Sequence, residues 1–134
     1  MIADNPEYTP RRATKHSAGY DVYAPKRMVV TKQWQTFDLG FRFEDGDMKP
    51  SQFAMMLVRS SVGNKKGVHM RTGVSIIDAD YRQNVLITLA ADTDEVVFEQ
   101  GDRIAQLLLC DYYTIPGEIA PTEERTGGVG STGQ

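Results

Sequence analysis

Apolar and polar residues alternate along much of this chain with a period of two. Phe37, Leu39, Phe41 and Phe43 fall on one side of such a run between Thr36 and Glu44, as a half-buried strand requires. Tyr20-Asp21-Val22-Tyr23 predicts another strand, led in by Ser17-Ala18-Gly19 and stopped by Pro25. Further strands are predicted over 27–31, 52–58, 68–70, 73–77, 84–91, 96–99 and 103–109. The run Phe53-Ala54-Met55-Met56-Leu57-Val58 is apolar throughout, and its methionine pair is expected to fill core gaps. No segment repeats apolar residues at i, i+3, i+4 and i+7 over several turns; a short helical turn fits only 59–67. Residues 1–16 are polar and contain Pro6 and Pro10, which leaves room for a short edge strand at most. Roughly nine short strands with Gly, Pro and Asp between them predict an all-β sandwich or barrel.

Composition narrows the class of partner. The chain has 134 residues, enough for one domain with a sizeable core. The compact part is predicted over 1–120. The stretch 121–134, whose last eight residues include Gly127, Gly128, Gly130 and Gly133, is predicted to be a flexible tail. The net charge is −3 with both signs interspersed, so duplex nucleic acid is not expected as a partner. A single nucleotide needs only a few local donors and stays open. No apolar run approaches the ~18 residues of a membrane span, and the first residues lack a basic-then-apolar leader. Cys110 is the single cysteine and reads as a buried small hydrophobe. A cytoplasmic setting is expected, or a host cytoplasm if the source is viral.

Candidate chemistry gathers in a few stretches. Ile77-Asp78-Ala79-Asp80-Tyr81-Arg82 sets two carboxylates, a ring and a guanidinium at the end of an apolar strand. Such a strand end either presents Asp78 and Tyr81 to a ligand or is merely an acidic turn. Arg59-Ser60-Ser61 supplies a guanidinium, two hydroxyls and successive main-chain N–H groups, the parts of an anion nest. Arg125 to Gly133 repeats that theme with glycines that let a backbone approach closely. Only His16 and His69 are histidines, so neither a zinc site nor a serine triad is expected. Magnesium remains open, since it needs only a carboxylate or two plus phosphates and water.

Taken in order, five stretches form one pattern. They are Ala18-Gly19-Tyr20-Asp21, Arg59-Ser60-Ser61, Ile77 to Arg82, Gly101-Asp102-Arg103-Ile104-Ala105-Gln106-Leu107, and Arg125 to Gly133. This ordered set resembles the trimeric dUTPase family, the deoxyuridine 5′-triphosphate nucleotidohydrolases. The resemblance implies a distorted jelly roll (β-clip-like) that forms a threefold homotrimer with sites at subunit interfaces. It implies hydrolysis of dUTP to dUMP and pyrophosphate, limiting uracil in DNA and supplying dUMP for dTMP synthesis.

By the same resemblance Asp78 would activate the attacking water, and Tyr81 would lie under the deoxyribose and exclude a 2′-hydroxyl. Main chain around Thr72, Gly73, Ser75 and Ile77 would read uracil. Arg59, Ser60, Ser61 and Gln106 would hold the phosphates. Arg125, Ser131 and Thr132, with Val129 and Gly130, would close over the nucleotide from the tail. Asp21 and Arg103 would be structural supports, Asp21 by pairing with Arg59. Mg2+ would bridge the phosphates through water, without a dedicated protein cage.

The chain departs from that pattern in places. Val129 replaces a Phe that stacks on uracil, Thr72 a common Asn, Ser75 a usual Gly and Gln83 a common Gly. The region before Tyr8 is short and polar for a full first strand. Two alternatives therefore stand beside dUTP hydrolysis: the same fold with another base preference, or a nucleotide-sensing regulatory protein without catalysis.

Overall fold

The computed structural model describes residues 1–126 of the chain. Its strands are β1 (Ile2–Ala3), β2 (Tyr20–Tyr23), β3 (Met28–Thr31), β4 (Gln35–Asp38), β5 (Phe41–Arg42), β6 (Gln52–Val58), β7 (Val68–Met70), β8 (Ser75–Asp78), β9 (Leu86–Ala91), β10 (Glu95–Phe98) and β11 (Arg103–Asp111). A single α-helix, α1 (Ser60–Lys66), and a 3-10 turn at Pro6–Tyr8 complete the regular structure among the described residues.

The strands form a jelly roll of small antiparallel sheets. The largest sheet runs β2-β11-β6-β8, a second runs β4-β9-β7, and β1-β5 and β3-β10 make two-stranded pieces. Inward-facing residues of these sheets make one core, including Val22, Val30, Phe41, Met56, Leu89, Phe98 and Ile104. Phe41 and Phe43 meet edge to face, with centroids 6.1 Å apart.

Four expectations change in detail. The run Thr36–Glu44 keeps its face, with Leu39, Phe41 and Phe43 buried, but it is not one strand. Gly40 turns the chain at φ +70° and donates its N–H to Asp38 Oδ1 at 2.8 Å, which divides the run into β4 and β5. Together with the edge strand β1, this raises the count above the expected nine. Met55 and Met56 do not share a role, because successive strand residues face opposite ways. Met56 is fully buried, whereas Met55 is half-buried on the other face. Cys110 is also half-buried rather than buried. It lies opposite Phe53 on β11, on the side of the pleat turned away from Leu107 and the core.

Two registers decide where polar residues end up. In the large sheet Gln106 lies opposite Asp21 on one neighbour and Leu57 on the other. Arg59, directly after β6, therefore shares an end of the sheet with Asp21 and Gln106. Asp78 lies opposite Phe53, at the other end of β6. From Phe53 to Arg59 the strand covers about 20 Å at roughly 3.3 Å per residue.

Candidate active site

The acidic turn after β8 is built on buried roots. Ile77 and Val85 are both buried, each contributing on the order of 1.5–3 kcal/mol of apolar burial. Between them the chain must turn at the surface. Tyr81 N–H donates to Asp78 O at 3.1 Å, and the Tyr81 hydroxyl donates to Asn84 O at 3.1 Å. Arg82 donates through Nη1 to Ala79 O at 2.8 Å and through Nη2 to Asp45 Oδ1 at 2.8 Å. The turn is thus held by its own residues and by Asp45 from the connection after β5, while Asp78 and Asp80 stay exposed.

Arg125 of the same chain lies across this turn. Its Nη2 donates to Asp78 Oδ2 at 2.6 Å and its Nε to Asp80 Oδ1 at 2.8 Å. Its guanidinium carbon sits 5.9 Å from the Tyr81 ring centre, a cation–π distance. The hydrogen bond to Asp80, and then the charges of both acids, hold Arg125 more firmly protonated than usual. Burial pushes the Tyr81 phenol above its ordinary value, with Arg125 pulling the other way and Asp38 adding to the rise. The tyrosine therefore stays neutral, an apolar ring with a fixed hydroxyl.

The two arms that flank the turn do not pair. β8 bonds only to β6, and β9 bonds to β4 and β7. Between the arms lies a cavity of about 320 Å³, lined by Thr36, Met70, Arg71, Thr72, Ser75, Leu86, Ile87 and Thr88. An unpaired hairpin leaves main-chain donors and acceptors to be satisfied by something else, and a flat heterocycle suits a slot of that kind. Thr72, Ser75 and Ile77 stand on one arm, as expected for the base-reading segment. The Ile77 side chain points into the core, so only its main chain is offered. Gly73 turns with φ +77° and donates its N–H to Met70 O at 3.1 Å, and no atom lies near where its side chain would be.

The other cluster occupies the opposite end of β6. A cavity of about 370 Å³ is lined by Ala13, Ser17, Ala18, Gly19, Asp21, Arg59, Ser60, Gln106 and Leu108. Asp21 carries Arg59 Nε at 4.0 Å and Arg103 Nη1 at 3.7 Å on its two oxygens. Gly19 is needed for close approach: a Cβ there would meet Gln106 Oε1 at 3.0 Å. Arg59 precedes α1 without a side-chain cap, so the N–H groups of Ser60 and Ser61 at the start of the helix are left for other acceptors. Ser61 is half-buried beside them. Donors without an internal partner, at the rim of a cavity, suit an anion.

Arg59, Ser60, Gln106 and Asp21 are therefore brought together, and Asp78, Tyr81 and Arg125 are brought together elsewhere. Val129, Gly130, Ser131 and Thr132 lie outside the described residues. Sequence reasoning did not single out Thr36, Arg71 or Thr88 as slot-lining residues. They reach the slot from three separate strands or their ends, and no local spacing marks them. Their side chains share a row across the sheet: Thr36 is opposite Thr88, and Arg71 N–H donates to Thr88 O at 3.0 Å.

With this geometry in hand, comparison with known proteins decides the family. The dUTPase family model matches residues 6–133. The chain belongs to the dUTPase family. It is 35% identical over 133 residues to the deoxyuridine 5′-triphosphate nucleotidohydrolase of Lactococcus lactis, covering 92% of this chain and 87% of that protein. Its fold matches the crystal structure of dUTPase from Streptococcus mutans at a TM-score of 0.77 and 25% identity, over 86% of this chain and 94% of that one. A mutant dUTPase from phage phi11 of S. aureus matches at a TM-score of 0.72 and 19% identity, over 87% of this chain and 90% of that one. That phage protein is described as coordinating a structural Mg(II) ion.

The donor set of this family member fits an ion carried by substrate. Among the described residues no three His, Cys, Asp or Glu side chains converge on a point. The cavity at Arg59 is lined by the donors of Arg59, Ser60 and Gln106 and by a single carboxylate, Asp21, which Arg59 and Arg103 already engage. A magnesium held mainly by phosphate oxygens and water asks for no more. No helix among the described residues is long and apolar enough to cross a membrane.

Proposed function

We propose that this chain hydrolyses dUTP to dUMP and pyrophosphate with Mg2+, as a homotrimer whose sites lie between subunits. The observation that carries this reading is the position of the two clusters at opposite ends of β6. An acid that activates water must come within about 3 Å of the proton it takes. The Asp78 of one chain stands about 20 Å along the strand from that chain's own Arg59. A second copy that lays its hairpin beside the first copy's Arg59 cavity joins the halves, and a threefold ring repeats the contact.

In the joined site each group has a defined task. Arg59, the Ser60 and Ser61 N–H groups and Gln106 hold the phosphates. The slot of the open hairpin takes the base, and the neutral Tyr81 ring packs under the deoxyribose. The oxygen of a water attacks the α-phosphorus while Asp78 accepts its proton. The bond from the α-phosphorus to the bridging oxygen breaks, and pyrophosphate leaves with that electron pair. The Ser60 hydroxyl lies near the charge that develops there. When bound with the nucleotide, Mg2+ supplies neutralisation of phosphate charge.

Arg125 has a double part in this scheme. In the resting chain it engages Asp78 Oδ2 and Asp80. A γ-phosphate is a stronger acceptor for a guanidinium than an exposed carboxylate. Substrate therefore draws Arg125 off the acid, and the residues from 121 onward follow it over the site. Asp78 is freed as the nucleotide is covered.

The test is a panel of dUTP, dTTP, dCTP and UTP with the purified protein and Mg2+, reading pyrophosphate. dUTP is the expected preferred substrate. Protein that leaves dUTP untouched would overturn the reading. The hydroxyls of Thr72 and Ser75 in the slot favour one second reading, another deoxynucleoside triphosphate, and dominance of a different base in the same panel would establish it.

A further inference from the structure

The turn that carries Asp78 and Tyr81 has no sheet partner of its own. Strand β8 leaves β6 at the Asp78–Phe53 pair, and β9 begins its pairing only at Leu86, opposite Asp38. Among the described residues, hydrogen bonds tie residues 79–84 to the rest of the molecule at three places. Arg125 holds Asp80, Asn84 holds Asp38, and Arg82 holds Asp45. In the proposed cycle the substrate draws Arg125 away. Asn84 Nδ2 donates to Asp38 Oδ1 at 3.1 Å, but at the far side of the turn, next to β9. Arg82 is then the polar tie nearest to Asp78 along the turn.

The geometry of Arg82 suits that task. Its Nη1 donates to Ala79 O at 2.8 Å and to Tyr81 O at 3.2 Å. Its Nε and Nη2 both donate to Asp45 Oδ1, at 3.1 Å and 2.8 Å. One planar fork therefore joins the carbonyl next to Asp78 to an acid 37 positions away. Asp45 stands on firm support. Glu44 N–H donates to Asp47 Oδ2 at 2.8 Å and Asp47 N–H to Glu44 O at 3.2 Å. These bonds close a turn in which Gly46 takes φ +90°, and Phe43 and Met48 on either side are buried. The Asp45 side chain is 99% exposed and that of Arg82 37%, so the pair adds little to stability. Its worth lies in where it sets the chain.

We infer that Arg82 and Asp45 are a positioning pair for catalysis, fixing the Asp78 turn against the body of its own chain once Arg125 has left. Neither residue needs to touch the nucleotide. Asp78 must stand within hydrogen-bond reach of the water it deprotonates, and a turn that shifts by a fraction of that reach loses rate without losing ligand. Asp45 lies outside all five ordered stretches of the sequence, so its part comes from the fold. The inference rests on the reading of the chain as a dUTP hydrolase with Asp78 as its base.

The experiment measures kcat and KM for dUTP, the dissociation constant of a non-hydrolysable dUTP analogue, and the melting temperature. The proteins are the wild type, Asp45→Ala, Asp45→Asn, Arg82→Ala and the double variant Asp45→Ala with Arg82→Ala. Asp45→Ala should lower kcat about tenfold, and Arg82→Ala, which also frees the turn carbonyls, by about ten- to a hundredfold. KM and the analogue's dissociation constant should stay within about threefold of wild type, because the lost contact serves the reacting step. Asp45→Asn keeps an oxygen that accepts from the same donors and should retain most of kcat. The double variant should be no slower than Arg82→Ala, since the two residues act as one link. Wild-type kcat in Asp45→Ala overturns the inference. So do additive losses, a loss carried by KM alone, or a loss that follows a fall in melting temperature. The Asp45 variants decide the matter even where Arg82→Ala fails to fold. A wild-type protein that ignores dUTP, or full turnover by Asp78→Asn, overturns the underlying reading instead, so the two failures are separate.

Discussion

The two ends of strand β6 solve the problem of holding a charged ligand in different ways. At the Arg59 end, the proposed phosphate end, the polar groups are arranged before anything binds. Asp21 is only 16% exposed and holds Arg59 on one side and Arg103 on the other, while Gln106 packs on Gly19. At the hairpin end the acids are 61% and 57% exposed, and their side chains are held by Arg125. Exposed ion pairs of that kind contribute on the order of 0–1 kcal/mol. The first end is preorganised by sheet register and the second is provisional. A preorganised end suits groups that must stabilise charge without rearranging. A provisional end suits an acid that must exchange its partner in each turnover.

That contrast is broken most sharply by separating the two ends into different chains. Asp78→Asn should keep nucleotide binding, read by calorimetry, and lose about 100- to 10,000-fold in kcat, the span of a positioned acid or base. Arg59→Ala should lose activity through the phosphate end. Mixed and refolded together, the two inactive proteins should regain a measurable fraction of wild-type turnover. In the proposed trimer, some hybrids would set an intact Arg59 end of one chain against an intact Asp78 of another. Mixtures no more active than their components would show that each site is made within one chain. Substantial turnover by Asp78→Asn alone would remove Asp78 as the base.

Much of the fold and part of the site can be read from the residues, for different reasons. Strand positions follow from period-two burial, which local sequence carries directly: Leu39, Phe41 and Phe43 keep their face even where Gly40 breaks the strand. Asp78, Tyr81 and Arg59 stand out because strand ends with charged or aromatic groups are visible in one dimension. Slot residues such as Arg71, Thr36 and Thr88 do not stand out, since three different strands bring them together. Nor does sequence reveal that Arg125 rests on its own chain's acids. That contact joins residues 45 and 47 positions apart, and only the turn after β8 places both acids within reach of one guanidinium.

A smaller effect sharpens the claim that the phosphate end is preorganised. Gly19→Ala places a Cβ at 3.0 Å from Gln106 Oε1. The clash is with the far end of a flexible side chain, so stability should change by less than about 1 kcal/mol. Gln106 must move, however, and displacement of a substrate-positioning group costs up to about a hundredfold in rate. A fall of about tenfold in kcat/KM is expected, with melting temperature nearly unchanged. Because the damage passes through Gln106, Gly19→Ala added to Gln106→Ala should cost no more than Gln106→Ala alone. Additive losses would show that Gly19 acts through something else.

The smallest expected effect concerns the provisional end and falls on Val129, a residue of the tail. Valine covers a heterocycle but offers no π face, whereas phenylalanine can stack on it. An aromatic pair contributes about 0.5–1.5 kcal/mol beyond its area, so Val129→Phe should tighten nucleotide binding by about two- to tenfold. The gain should appear only in the closed complex. It should therefore lower the dissociation constant of a non-hydrolysable dUTP analogue while leaving that of dUMP nearly unchanged, because dUMP lacks the γ-phosphate proposed to draw Arg125 off Asp78. Equal tightening for both ligands would mean that the tail closes on the base without the phosphate exchange. No change for either would mean that valine already covers the base as well as a ring does.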